Sequence, residues 1–318
     1  MPRSILAKMP KKTTRTKTTA PAVMYFHHAG LTNTGLLRSQ NEDAYKLPVN
    51  IDPETLAQKG HFYVLADGMG GHEKGEIASA VSVDTAHAEY YAAVAPLNGD
   101  NPQQVIIETM AHAIEQANIK VMEATDGGGT TIVAVVVYKD LLVVMNVGDS
   151  RAYLLRDDEL QLISRDHSLV SRLRELGKIT AEEALNHPRQ NVLYQALGQG
   201  DDLEIHVFTD RLKLGDMVIL CSDGLWGPVG NPTIKEVVSG EVSPRAAVEQ
   251  LVDLANASGG PDNITVIIVR VSDTAPPPEQ YTLTEAACHP PCDDESVIRR
   301  KPDTLPEGKF YRDKKPAP

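Results

Sequence analysis

The sequence is poor in the features that mark several large classes of protein. Three cysteines in 318 residues cannot build a disulfide framework, and one of them, Cys221, falls in an apolar run read as a strand. Such usage fits a reducing cytoplasm. No apolar stretch approaches the roughly 20 residues needed to span a bilayer. Residues 1–22 are basic and threonine-rich but lack the sustained apolar centre of a secretory signal. They also lack any acid. Arg3, Lys8, Lys11, Lys12, Arg15 and Lys17 stand there unopposed, so the whole-chain charge of −12, less these six cations, leaves −18 on the remainder. A body that acidic cannot neutralise phosphates along a nucleic acid, which excludes that class of partner. It does suit clustered carboxylates that hold divalent cations. No internal repeat is present, and no His/Cys cluster has the spacing of a zinc site. Cys288 and Cys292 flank His289 in the tail with no second cysteine pair to match them.

What is there reads as one large globular domain between two tails. Apolar residues make up 42% of the chain and charged residues 23%, ordinary values for a packed domain. Residues 1–22 are expected to be a disordered basic arm, 23–272 the folded domain, and 273–318 a disordered tail rich in proline and mixed charge. Helices are expected at Glu76 to Ala92, from Asn101-Pro102 towards Ala124, at Thr233 to Ser239, and at Pro244 to Ala257 behind Ser243. Thr130 to Tyr138 is a continuous β-branched run, the pattern of a strand buried on both faces. Leu141 to Val147, Ala152 to Leu155 and Leu160 to Ile163 are strands separated by tight breaks. Consecutive hairpins of this kind predict antiparallel sheet and an α+β fold, not alternating βαβ units. Arg165 to Val192 is polar, carries short helices at Leu169 to Leu176 and Ala181 to Leu185, and lies between strands; it is read as an inserted flap.

Three acids share one local pattern. Asp67 ends the strand His61 to Ala66 and is followed by Gly68, Gly70 and Gly71. Asp223 ends Met217 to Cys221 and precedes Gly224, while Asp262 follows Gly260-Pro261 and precedes the strand Ile264 to Val271. A single Asp-Gly is most often a plain turn. Three strand-end acids in one sheet protein can meet on one rim, with Asp126 beside a fourth strand and Glu42 and Asp43 as further acids. An oxygen-only donor set points to Mg²⁺ or Mn²⁺. Gathering four carboxylates without cations would cost several kcal/mol in repulsion and desolvation. Arg38, just before Glu42 and Asp43, has the planar fork to take two phosphate oxygens.

Eight segments occur in an order that resembles the metal-dependent protein phosphatases of the 2C (PPM) type, in their bacterial serine/threonine branch. They are RSQNEDAY, VLADGMGGHEKGEIAS, GGGTTIVAVVV, NVGDSRAYLLR, RDHSLV, LYQALG, GDMVILCSDGLW and GGPDNITVIIV, spanning residues about 25 to 272. The resemblance implies a four-layer α-β-β-α sandwich with two central antiparallel sheets and the flap inserted. It implies a binuclear Mn²⁺ or Mg²⁺ centre in which Asp67 bridges two cations about 4 Å apart. Gly68 would lend its carbonyl, Asp223 and Asp262 would complete one cation, and Glu42 would hold the other. Asp43 would work from behind, orienting coordinated waters. Asp126 with Asp223 matches a third, weaker site, Arg38 would bind the substrate phosphate, and Asn263 would orient Asp262. Asp149 and Ser150 are assigned a structural role. Met69 stands where eukaryotic relatives carry a histidine, which leaves the proton donor to the leaving group unassigned, with His72 nearby. The implied reaction is hydrolysis of phosphoserine and phosphothreonine in proteins by a metal-activated water. The expected partners are targets of a Ser/Thr kinase of eukaryotic type, met by a monomer with substrate choice in the flap. Two other readings use the same fold: a non-catalytic module that holds a phosphorylated partner, and a phosphatase acting on a sporulation or sigma-factor regulator. Mn²⁺-dependent turnover separates the first of these from an enzyme.

Overall fold

The computed structural model describes residues 23–276, apart from 71–72, 181–182, 185–186, 190, 201 and 241–242. The basic arm, the tail from 277 with its cysteine pair, and His72 therefore lie outside the described residues. Numbered along the chain, the strands form two antiparallel sheets. The first runs β2 (Asp43–Lys46), β3 (His61–Met69), β5 (Ile132–Tyr138), β6 (Leu141–Val147) and β9 (His206–Arg211), with the short β4 (Gly129–Thr130) added at the end of β3. The second runs β1 (Tyr25–Asn33), β11 (Ile264–Ser272), β10 (Met217–Cys221), β7 (Arg151–Arg156) and β8 (Glu159–Leu162). The described helices are α1 (Pro53–Lys59), α2 (Glu73–Ala93), α3 (Pro102–Thr125), α4 (Leu169–Glu175), α5 (Asp223–Val229), α6 (Asn231–Ser239) and α7 (Pro244–Ala257).

Side-chain alternation builds the layers. In β5, Ile132, Ala134 and Val136 pack with Tyr90, Met110 and Ile114 of α2 and α3, while Val133, Val135 and Val137 face the other sheet. In β10, Val218 and Leu220 meet that inter-sheet core, and Ile219 and Cys221 turn outward to Ile234, Val248 and Leu251 of α6 and α7. Because both faces of these central strands are covered, their sequence is apolar without alternation. The result is the expected α-β-β-α sandwich. Cys221 is core packing, and burial pushes its thiol up to about 12.

Several elements differ from expectation. The run Thr130 to Tyr138 is interrupted at Thr131, so β4 pairs with Gly68 and Met69 while β5 pairs with His61 to Leu65. Val147 and Arg151 lie in different sheets, so the break at Gly148 to Ser150 carries the chain across the sandwich instead of closing a hairpin. By contrast, β7 and β8 are a true hairpin whose Asp157 and Asp158 both have positive φ, 51° and 59°. Among the described residues three helices are long and four are short. Of the short ones, α1 and α5 were not expected. No described helix is long and apolar enough to cross a membrane.

Candidate active site

The acids come together where the two sheets end. Asp67 is near the end of β3, and Asp43 opens β2 directly opposite it. Asp223 follows β10 as the first residue of α5, and Asp262 precedes β11. Arg38, Glu42, Asp67, Gly68, Met69, Asp149, Asp223 and Asp262 all line one cleft of about 380 Å³. The acids thus come from both sheets, not from one.

Local chemistry explains how each is held. The Asp67 N–H donates to Thr131 Oγ at 2.9 Å, and its carbonyl accepts from Thr131 N at 2.8 Å and Thr130 Oγ at 2.9 Å. The interruption of β5 at Thr131 is therefore what anchors the central acid. A Cβ on Gly68 would stand 2.1 Å from the Gly75 carbonyl oxygen and 2.6 Å from that of Glu42, so only glycine lets these three segments meet. Gly224 is confined in the same way by the Asn263 carbonyl. Asp43 is buried behind the cleft, where Ser222 Oγ donates to its Oδ2 at 2.8 Å and in turn accepts from Thr265 N. Ser222 thereby ties an acid of one sheet to two strands of the other.

Asn263 does more than sit beside Asp262. Its side-chain oxygen accepts from Glu42 N at 2.8 Å, and its Nδ2 donates to the carbonyls of Thr34 and Gln40, each at 2.9 Å. Its backbone N–H, not its side chain, reaches Asp262 Oδ1 at 2.9 Å. The loop carrying Arg38 and Glu42 is thus fastened to the start of β11. Arg38 itself donates to Asp262 Oδ2 at 2.6 Å.

Electrostatics strain the cluster. Burial, then the charges of Asp43, Asp223, Asp149 and Asp262, pushes the Asp67 carboxyl well above the usual range. Burial is also the main cause that raises Asp223 to about 6 and Asp43 to about 7, with neighbouring acids adding to both. Asp149, buried and close to Asp223, is pushed up to about 8. Glu42 is raised by burial against the pull of Arg38. Asp43 Oδ1 and Asp223 Oδ1 are buried without a hydrogen-bond partner. Orphaned carboxylate oxygens in a set of hard donors fit divalent cations, which would neutralise the repulsion and satisfy them. Among the described residues no three Asp, Glu, His or Cys side chains are already drawn into a finished cage.

Asp126 is not brought into the cleft. It caps α3 in a left-handed conformation, φ 36°, with its side chain exposed and its carbonyl accepting from Lys74 Nζ at 2.7 Å. Asp126 is absent from the lining of the cleft that contains Asp223, the residue with which it was expected to share a third cation. Met69 lines the cleft and brings no ionisable proton. Sequence reasoning overlooked Thr131 and Ser222 and gave Asp149 a structural role, although Asp149 faces the cleft. The pair of hydroxyls that opens the apolar run, Thr130-Thr131, was the available signal for Thr131. Asn191 and Leu193, from the end of the flap and just beyond it, also reach the cleft.

Residues 39–258 match the family model described as Protein phosphatase 2C. The chain is 33% identical over 240 residues to the serine/threonine phosphatase stp of Listeria innocua, covering 75% of this chain and 93% of that one. The solved serine/threonine phosphatase of S. agalactiae shares 35% identity with a TM-score of 0.70, covering 77% of this chain and 99% of that one. The catalytic domain of the serine/threonine protein phosphatase PstP, solved in complex with two manganese ions, shares 31% identity with a TM-score of 0.65 over 78% of this chain and 99% of that one.

Proposed function

The chain belongs to the protein phosphatase 2C family, and from that membership we propose that it is a metal-dependent protein phosphatase that hydrolyses phosphoserine and phosphothreonine. The observation that carries this reading is the single cleft in which Glu42, Asp67, Asp223 and Asp262 face Arg38. When bound, two Mn²⁺ or Mg²⁺ ions supply a nucleophilic water and the charge that neutralises the phosphoryl oxygens. Asp67, the Gly68 carbonyl, Asp223, Asp262 and Glu42 would hold them. Asp43, held by Ser222, would orient coordinated waters from behind. Arg38 would turn its fork to the phosphate and stabilise charge on its equatorial oxygens. Thr131 and Asn263 fix the backbone on which those groups ride, so the geometry is set before substrate arrives.

The phosphoproteins are taken to be products of a Ser/Thr kinase of eukaryotic type. The chain is taken to act as a monomer. The cytoplasm is proposed as its compartment on the sparse cysteine content. Phosphate release from para-nitrophenyl phosphate and from a phosphothreonine peptide, measured with Mn²⁺, with chelator and in Asp67→Asn, tests the catalytic reading. Turnover that needs the cation and vanishes in the variant is expected; no turnover with Mn²⁺ present overturns it.

A further inference from the structure

A second hollow of about 300 Å³ opens off the catalytic cleft. Met69, Gly70 and Leu193 line both cavities, so nothing separates them. The chemistry changes abruptly across that shared wall. Five acids and one arginine line the cleft. The rest of the hollow, formed by Tyr194, Gln195, Ala196 and Gln199 with Gly127, adds no charged side chain.

The wall is also held in place. Tyr194 N donates to the His167 carbonyl at 2.9 Å, and the two rings pack with centroids 5.5 Å apart. Three residues on, Leu197 exchanges two backbone hydrogen bonds with Thr130, at 2.8 and 3.1 Å, and Gly198 N donates to Asn118 Oδ1 at 2.7 Å. The segment between these anchors spans from the buried His167 to the edge of β4. A wall fixed before binding loses little entropy on binding.

We propose that this hollow is a specificity subsite for an apolar or aromatic side chain two positions from the phosphorylated residue, with Tyr194 and Leu193 as its determinants. The proposal rests on the phosphatase reading above. In an extended substrate, successive Cα atoms are about 3.8 Å apart and side chains alternate in direction. A phosphate seated in the cleft therefore turns the directly adjacent side chains away and brings a side chain two positions along to the shared wall of Met69 and Leu193. About 300 Å³ is the lower limit of a small-ligand pocket, room for one large side chain. A charged side chain would be desolvated there without a charged partner, and an acidic one would also face the cleft carboxylates.

Two phosphothreonine peptides that differ only in the residue two positions from the phosphothreonine, Leu against Asn, made in versions for either side, provide the test. The full chain with Mn²⁺ is expected to favour Leu by about tenfold in kcat/KM on one side, the range for burying or losing a few methylenes. Tyr194→Ala, which removes the wall, and Gln199→Trp, which fills the hollow from an exposed position, should each bring that ratio to within about twofold of one. A wild-type ratio near one on both sides, or a ratio that survives Gln199→Trp, overturns the subsite while leaving the phosphatase reading intact. Absence of Mn²⁺-dependent phosphate release from every peptide overturns both.

Discussion

Arg38 and Asp262, 224 residues apart, are joined by a 2.6 Å hydrogen-bonded ion pair at the mouth of the cleft. The pair ties the group proposed to hold phosphate to a group proposed to hold a cation. Both side chains are substantially exposed, 49% and 32%. Such a pair is worth only about 0–1 kcal/mol, so a divalent cation can readily displace the guanidinium. Arg38→Met should therefore bind Mn²⁺ more tightly than wild type in calorimetric titration. It should also lose about ten- to a hundredfold in kcat/KM on phosphopeptides, the worth of a charge-assisted hydrogen bond in the transition state. Equal or weaker Mn²⁺ binding by the variant would refute the competition.

Asp67 is predicted to trade stability for function. Asp67→Asn should lower turnover by about a thousandfold or more, because several kcal/mol of charge stabilisation depend on the cations it would help to hold. In chelator at pH 8 the same variant should be more resistant to urea than wild type. It removes a buried carboxylate that Asp43, Asp223, Asp149 and Asp262 all repel. A lower urea midpoint for the variant would contradict the repulsion described for this site.

The raised carboxyls also set a pH dependence. Asp223, Asp43 and Asp149 sit at about 6, 7 and 8 in the folded chain, above their ordinary value. Between the unfolded and folded values the native state binds more protons than the unfolded one, so stability falls as pH rises. In chelator, the melting temperature should drop progressively from pH 5 to pH 8. Saturating Mn²⁺ should flatten or reverse that slope, adding about 2.7 kcal/mol at a hundredfold excess over its dissociation constant. Thermal scans across the range with and without chelator check both halves; a chelated protein that gains stability towards pH 8 would exclude the mechanism.

What could be read without coordinates followed the strength of local signals. β5, β6, β10 and β11 announce themselves because both faces are buried and nearly every residue is apolar. α3 and α7 carry cap-and-proline starts at Asn101-Pro102 and Ser243-Pro244. The same signal stands at Asp52-Pro53, yet α1 escaped notice because its seven residues bury none and show no periodicity. β1 mixes two histidines, a glycine and polar residues, and becomes a strand through nine consecutive pairs with β11. At the site, glycine-flanked acids are visible because the glycine is a steric demand written into the chain. The Arg38–Asp262 pair, the Ser222 tie and the exposure of Asp126 depend on partners far away in sequence, and no local pattern encodes them.

Asn263 supplies the strictest test of how the site is held, since one side chain fastens Glu42, Thr34 and Gln40 while its backbone holds Asp262. Asn263→Ala would leave Glu42 N and two carbonyls without their partner, at about 1–3 kcal/mol for each group that stays buried. The loop bearing Arg38 and Glu42 would then loosen as a unit. Cation affinity, measured by titration, and KM for phosphopeptides should therefore worsen together. Asn263→Asp separates the contacts: it keeps an acceptor for Glu42 N and loses both donors to Thr34 and Gln40. It also adds a carboxylate to a crowded acidic site. Its cation affinity should stay closer to wild type than that of Asn263→Ala, because Glu42 remains anchored, while its chelated form should be the less stable of the two at pH 8. If Asn263→Ala raised KM and left cation affinity untouched, Glu42 would have to be positioned by something other than this clamp.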